Sequence, residues 1–301
     1  MTRYFSIFGD SISTYEGFVV DDYAVFYNRE QQARAGLRSV EDTWWMQVIR
    51  AYDGELLVNA AWSGSMLEGA CFPCGNSDER VAALALDGQA PDDILVYIGI
   101  NDYGWGSPHA QAKGGSSATP FCLGEFGATE VAGDAPADAA RLFGEAYRQM
   151  LDRMKRRYPE ARIWCFTMLP GRVAGAGDST FAYNFRGVPF RAYNEAIVDA
   201  ARDGGAIACD IASLGFDYEA IEGTHPTKVG MRQMAELMLN RMHAHDGVDT
   251  PLDSADLLGY ESTDPCVNEG RSCVGCEFAL STGNSWMHVC QAHYEGSCPV
   301  H

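Results

Sequence analysis

Ser11 and His225 are the two side chains of this sequence best suited to covalent chemistry at neutral pH. A serine hydroxyl is a weak nucleophile until a base takes its proton, and imidazole titrates in the range where it can be that base. A carbonyl attacked by such a hydroxyl becomes an oxyanion, and an oxyanion needs hydrogen-bond donors fixed in advance. Each surrounding motif also has a plain structural reading. Gly9-Asp10-Ser11 can be an ordinary turn, Asn101-Asp102 another, Gly64 a loop glycine and His225 a helix-start residue. What raises the interest of the set is where its members fall along the chain.

Five short apolar runs read as strands: Tyr4–Phe8, Glu55–Asn59, Asp93–Gly99, Ala161–Thr167 and Ala206–Asp210. Helical spacing follows most of them. Trp44, Trp45, Val48 and Ile49 form the apolar stripe of a helix opening at Glu41-Asp42, with the tryptophans in the core. Further helices are expected over 78–86, from Pro136 to the basic run Lys155-Arg156-Arg157, over 190–202 and over 227–243. The basic run complements a helix C-terminus and needs no partner to explain it. Strands alternating with helices imply right-handed crossovers and a parallel sheet covered on both faces, an α/β fold in three α/β/α layers around a five-stranded sheet. The strand-to-helix loops of such a sheet open at one edge, where ligands bind. Three long excursions, after the first, third and fourth strands, therefore surround Ser11, which ends the first strand.

At that edge the sequence presents Gly9-Asp10-Ser11, Ser63-Gly64, Gly99-Ile100-Asn101-Asp102 and Gly223-Thr224-His225-Pro226, in that order. The set resembles the SGNH hydrolases, the GDSL lipase/esterase family, over roughly residues 3–243. The resemblance implies a flavodoxin-like sheet with Ser11 as nucleophile and His225 as base. It also implies an oxyanion hole of the Ser11 amide, the Gly64 amide and the Asn101 carboxamide. The sequence departs from the family pattern at one place: the aspartate usual three residues before the histidine is Glu222. A glutamate can orient imidazole as an aspartate does. The alternatives are Ser11 and His225 acting alone, or with Asp217. No G-x-S-x-G elbow surrounds Ser11, which argues against an α/β-hydrolase fold.

The chain of 301 residues is 47% hydrophobic and 21% charged, with a formal net charge of −19. That acidity argues against nucleic acid and anionic membrane surfaces as partners. No apolar stretch approaches the roughly 20 residues of a membrane helix, and no export signal is visible. A cytoplasmic location is expected, where cysteines are thiols or metal ligands. Cys71-x-x-Cys74 lacks the strand and helix context of a redox motif.

Residues 1–245 are expected to form the hydrolase domain and 246–301 an acidic linker with a cysteine-rich tail. Five of the ten cysteines lie between Cys266 and Cys298. Cys273-x-x-Cys276, thirteen residues, then Cys290-x-x-His293 is the arrangement of a structural zinc site. Cys266, Cys298 or His288 could replace one ligand. With Arg271 as its one basic side chain besides histidines, the tail suits a folding staple or cap rather than a nucleic-acid finger.

The resulting expectation is a serine ester hydrolase working through an acyl-enzyme, without a catalytic cofactor, on a small-molecule or carbohydrate ester with a short acyl group. Trp62, Tyr103 and Trp105, with Tyr15, could stack a sugar ring; lid packing is the other reading of the same residues. A thioester or lysophospholipid substrate, or a silent binding module using the tail for protein interaction, are the alternatives.

Overall fold

A strand buried on both faces needs a continuous apolar run rather than alternation. Tyr4–Gly9 (β1), Asp93–Tyr97 (β3) and Arg162–Phe166 (β4) meet that need and form the centre of a parallel sheet. Glu55–Asn59 (β2) and Ile207–Cys209 (β6) are its edges, giving the order β2-β1-β3-β4-β6. The computed structural model describes residues 2–69, 72–105, 135–175, 187–252 and 256–259, with the backbone of 279–281 and 288–290. Strand register runs Phe5 to Asp93 and Gly9 to Tyr97, so β1 and β3 end side by side. The expected five-stranded parallel α/β sheet is the one observed.

Helices flank the sheet. Trp44–Ala51 (α2) packs on Lys228–His245 (α7), and Ala139–Arg157 (α5) packs on Phe190–Asp203 (α6) and on the short Asp78–Ala82 (α3). Trp44 and Trp45 are fully buried, with the Trp44 ring edge-on to Phe166. No helix among the described residues is long and apolar enough to cross a membrane.

Three local departures from the sequence expectation have physical reasons. Glu41-Asp42 does not open α2: a 3-10 turn occupies Val40–Asp42, and Thr43 caps α2 by accepting from the Met46 amide at 3.3 Å. The excursion after β1 contains a helix, Arg29–Ala35 (α1). Its sequence carries no apolar stripe, and its ends hold it: the Asn28 side chain accepts from the Gln31 amide, and Gly36 turns left-handed with φ 75°. The excursion after β4 contains Gly171–Val173 (β5), which pairs in parallel with Tyr218–Ala220 (β7). Strands of three residues are too short to leave a periodicity. A second small sheet, antiparallel, joins Ala279–Ser281 (β8) to His288–Cys290 (β9).

Candidate active site

β1 ends at Gly9, and the chain turns at once into a 3-10 turn over Ser11–Ser13, with the Asp10 carboxylate accepting from the Ile12 amide at 3.1 Å. The turn is tied down by Thr14, whose amide and hydroxyl both donate to the Ser11 carbonyl, at 3.3 and 2.9 Å. Ser11 is thereby held at the sheet edge.

His225 reaches the same point from the far end of the chain. The loop that carries it is braced by the β5–β7 pair, and a Cβ at Gly171 would overlap the Gly223 carbonyl, so only glycine permits that approach. Tyr218 donates to the Thr224 carbonyl at 2.5 Å and Tyr27 to the Pro226 carbonyl at 2.7 Å. Two buried phenols thus clamp the residues on either side of His225. Burial holds both well above the usual phenol pKa, so they remain donors.

The imidazole Nε2 lies 2.8 Å from Ser11 Oγ, and Nδ1 is hydrogen-bonded to Glu222 Oε1. The same carboxylate oxygen accepts from the His225 amide at 3.1 Å. Asp217 faces elsewhere: it takes the Arg172 guanidinium at 2.9 Å, and burial, opposed by that arginine, pushes its carboxyl up to about 6. Of the two carboxylates weighed from the sequence, the structure brings Glu222 to the histidine.

The three donors implied by the resemblance come from separate segments of the chain. Gly64 has φ 80°, a left-handed conformation that orients its amide at low cost for glycine alone. Among the described residues, neither the Ser11 nor the Gly64 amide donates to a protein acceptor. Asn101, at the start of Ile100–Trp105 (α4), spends one amide hydrogen on the Ser65 carbonyl at 3.0 Å and has a second to offer. Next to it Asp102, fully buried, accepts from the Leu67 amide at 3.0 Å and the Glu68 amide at 2.9 Å. The Asn101-Asp102 pair therefore fastens the loop that carries Gly64.

The aromatic residues sort differently. Trp62, 5% exposed, packs on Tyr23 and Phe72, with centroids 4.4 and 4.9 Å away. Tyr103, 1% exposed, lies edge-on to Phe190 and Tyr193. Both rings are buried and packed against other aromatic rings. Trp105 is described in its backbone alone, as the last residue of α4. Cys290 ends β9, while Cys273, Cys276 and His293 lie outside the described residues, as do Cys71, Cys266 and Cys298.

Three residues at this site were not singled out in the sequence. Phe26 stacks on His225, and nothing in its aromatic-rich stretch distinguishes it from its neighbours. Asp102 adjoins Asn101 in the motif after the third strand, where the resemblance gives it no role of its own. Arg80 is fully buried in α3; its one signal is that it shares a helix face with Leu84, four residues on, so that a charge falls on the apolar side.

A hydroxyl hydrogen-bonded to an imidazole whose other nitrogen meets a carboxylate can pass its proton to Nε2 as it attacks. The oxyanion that results needs hydrogen-bond donors fixed in advance. A family model described as GDSL-like Lipase/Acylhydrolase matches residues 3–169. Among solved structures, proteins described as GDSL-like lipases from Bacteroides ovatus ATCC 8483 and Bacteroides uniformis ATCC 8492 each share 21% identity with a TM-score of 0.51. Each alignment covers 81% of this chain, and 99% and 96% of theirs. A Lactobacillus plantarum protein aligns at 18% identity and TM-score 0.51 over 81% of this chain and 98% of its own. At these identities the likeness is one of fold. No curated protein matches the chain. The matched segment spans more than half the sequence and three of its four motifs, and the chain belongs to the GDSL-like lipase/acylhydrolase family of ester hydrolases, the SGNH group its strand ends resemble.

Proposed function

We propose that the protein is a serine carboxylesterase that removes a short acyl group, such as acetyl, from a small-molecule or carbohydrate ester. Ser11 Oγ attacks the ester carbonyl while its proton passes to His225 Nε2. The oxyanion is held by the Ser11 and Gly64 amides and the Asn101 carboxamide. Collapse expels the alcohol, which takes the proton from Nε2, and leaves an acyl group on Ser11. Water then attacks the acyl carbon, gives a proton to Nε2, and the carboxylic acid departs as Oγ recovers its hydrogen. Glu222 orients the ring and stabilises the imidazolium throughout.

The observation that carries this reading is the unbroken series Glu222–His225–Ser11, with Nε2 2.8 Å from Oγ. The test is a panel of acyl esters varied in chain length and alcohol, run on wild type and Ser11→Ala, beside labelling by a serine-directed phosphonate. Hydrolysis and labelling that both vanish in Ser11→Ala support the enzyme. Wild-type protein that neither hydrolyses nor labels is a binding module.

The tail is proposed as a separate unit from residue 246, in which Cys273, Cys276, Cys290 and His293 hold a structural zinc. Two thiol or imidazole pairs suit tetrahedral zinc chemically. Support comes from the antiparallel β8–β9 pair, whose register sets Ala279, three residues past Cys276, opposite Cys290. Metal analysis of purified protein tests this, and absence of near-stoichiometric zinc removes it. A cytoplasmic location is proposed with it; the buried thiols of Cys165 and Cys209 suit a reducing compartment.

A further inference from the structure

Arg80 is an arginine with no exposed surface, and its guanidinium touches three separate segments at the candidate site. Nη1 donates to Ser65 Oγ at 2.6 Å and to the Pro73 carbonyl at 2.7 Å. Nη2 donates to the Gly9 and Ala60 carbonyls, both at 3.1 Å. The guanidinium carbon sits 4.8 Å from the centre of the Phe8 ring. Gly9 is the last residue of β1, two before Ser11. Ala60 follows β2 directly, and Ser65 follows Gly64. Ser65 is gripped from the other side as well, since its carbonyl accepts from Asn101.

Burying a cation costs several kcal/mol unless its hydrogens are satisfied. A helix as short as α3 does not need a buried cation to fold, and an apolar residue would serve the packing around Val81 and Leu84 at lower cost. What an arginine alone supplies is two terminal nitrogens in a rigid plane, each reaching two acceptors at once.

We propose that Arg80 is a positioning residue that sets the spacing between the Ser11 amide and the Gly64 amide by joining the ends of β1 and β2 to the Ser65 loop. The proposal rests on the ester-hydrolase reading above. The two amides follow different strands of the sheet, and the backbone tie between those segments reaches the Trp62 amide, which donates to the Gly9 carbonyl at 3.1 Å, two residues short of each. Beyond that bond, Arg80 is the side chain that ties Gly9 and Ala60 to Ser65, the residue after Gly64. A misplacement of about 1 Å at such a site costs roughly 10²-fold in rate.

The test is Arg80→Lys, which keeps the charge and supplies one nitrogen in place of two. Active sites are titrated with a serine-directed phosphonate, and kcat and KM are measured per titrated site on the best ester of the panel. The expected result is a kcat per site lower by roughly 10²-fold, with KM little changed. A purely structural role would reduce the number of titratable sites and leave kcat per site at the wild-type value, and that outcome overturns the proposal. A loss confined to KM overturns it too. If Arg80→Lys yields no folded protein, Ser65→Ala decides. It removes one of the four acceptors, and an unchanged kcat per site again overturns the proposal. Wild-type protein that fails to hydrolyse any ester or to label is a different result, which refutes the enzymatic reading and not the bracket.

Discussion

The Phe26 ring lies face to face with the His225 imidazole, with centroids 3.4 Å apart and planes 6° from parallel. Two neutral aromatic rings prefer an offset or an edge-on contact to this arrangement. A cation over a ring face is attracted by the quadrupole that makes the neutral stack poor. In the proposed reaction His225 becomes that cation when it takes the Ser11 proton. The contact therefore favours the state in which the oxyanion forms. Phe26 is itself held by its amide, which donates to Thr14 Oγ1 at 3.0 Å, and Thr14 is the residue that pins the Ser11 carbonyl.

Phe26→Leu keeps an apolar cover over the imidazole and removes the π face. We expect kcat to fall about 2- to 30-fold, the equivalent of about 0.5–2 kcal/mol, while Phe26→Trp stays close to wild type. Steady-state kinetics on the three proteins check this, and equal kcat in Phe26→Leu refutes a role for the ring face.

Glu222→Ala and Asp217→Ala separate the two carboxylates. Loss of Glu222 removes the group that orients His225 and lowers kcat by about 10³–10⁴-fold. Loss of Asp217 leaves the buried Arg172 without that partner, costs about 3 kcal/mol of stability and spares kcat per folded molecule. Denaturant melts beside kinetics distinguish the two, and an active Glu222→Ala enzyme removes that residue from the mechanism.

Asn101→Ala deletes one oxyanion donor and the bond to the Ser65 carbonyl together. The expected fall in kcat is about 10²–10³-fold. The rate of phosphonate labelling should fall with it, because the adduct also presents an oxygen to that hole. Labelling at the wild-type rate would place the donor elsewhere.

Asp10 supplies a pH test of the fold beneath the site. Burial pushes its carboxyl up from 3.8 to about 7, opposed by the Ile12 amide, the charges of His225 and Arg80, and the Gly99 amide. A carboxyl raised on folding binds more protons in the native state than in the unfolded chain. Its stabilising contribution is full below pH about 4 and is lost as pH rises through about 7. Asp10→Asn should therefore flatten the decline in unfolding free energy across that window, by up to about 4 kcal/mol. Urea melts between pH 4 and pH 8 measure it, and parallel curves for the two proteins would show that Asp10 does not titrate there.

The residues that could do chemistry, and the sheet edge that gathers them, were legible from the sequence. Continuous apolar runs report central strands whatever surrounds them, and the topology of a parallel sheet then puts every strand-end motif on one side. That the motifs holding Ser11, Gly64, Asn101 and His225 share one edge follows from that topology, while the choice of these four residues comes from the family resemblance. Glu222 is the expected partner from its place three residues before His225, with Asp217 as the alternative, and the sequence could not show where Asp217 turns. Both precede His225 by a few residues, and only the β5–β7 pair, three residues per strand, turns one toward the imidazole and the other toward Arg172. The packing of Tyr103 and Trp62, the stack of Phe26 on His225 and the bracket of Arg80 were likewise decided by the tertiary structure. Each joins segments distant in the chain, Arg80 to Gly9 across 71 positions and His225 to Ser11 across 214. Local pattern carries the period of an element and the chemistry of its ends. Which side chains meet depends on how layers close over one another, and that is a property of the folded chain.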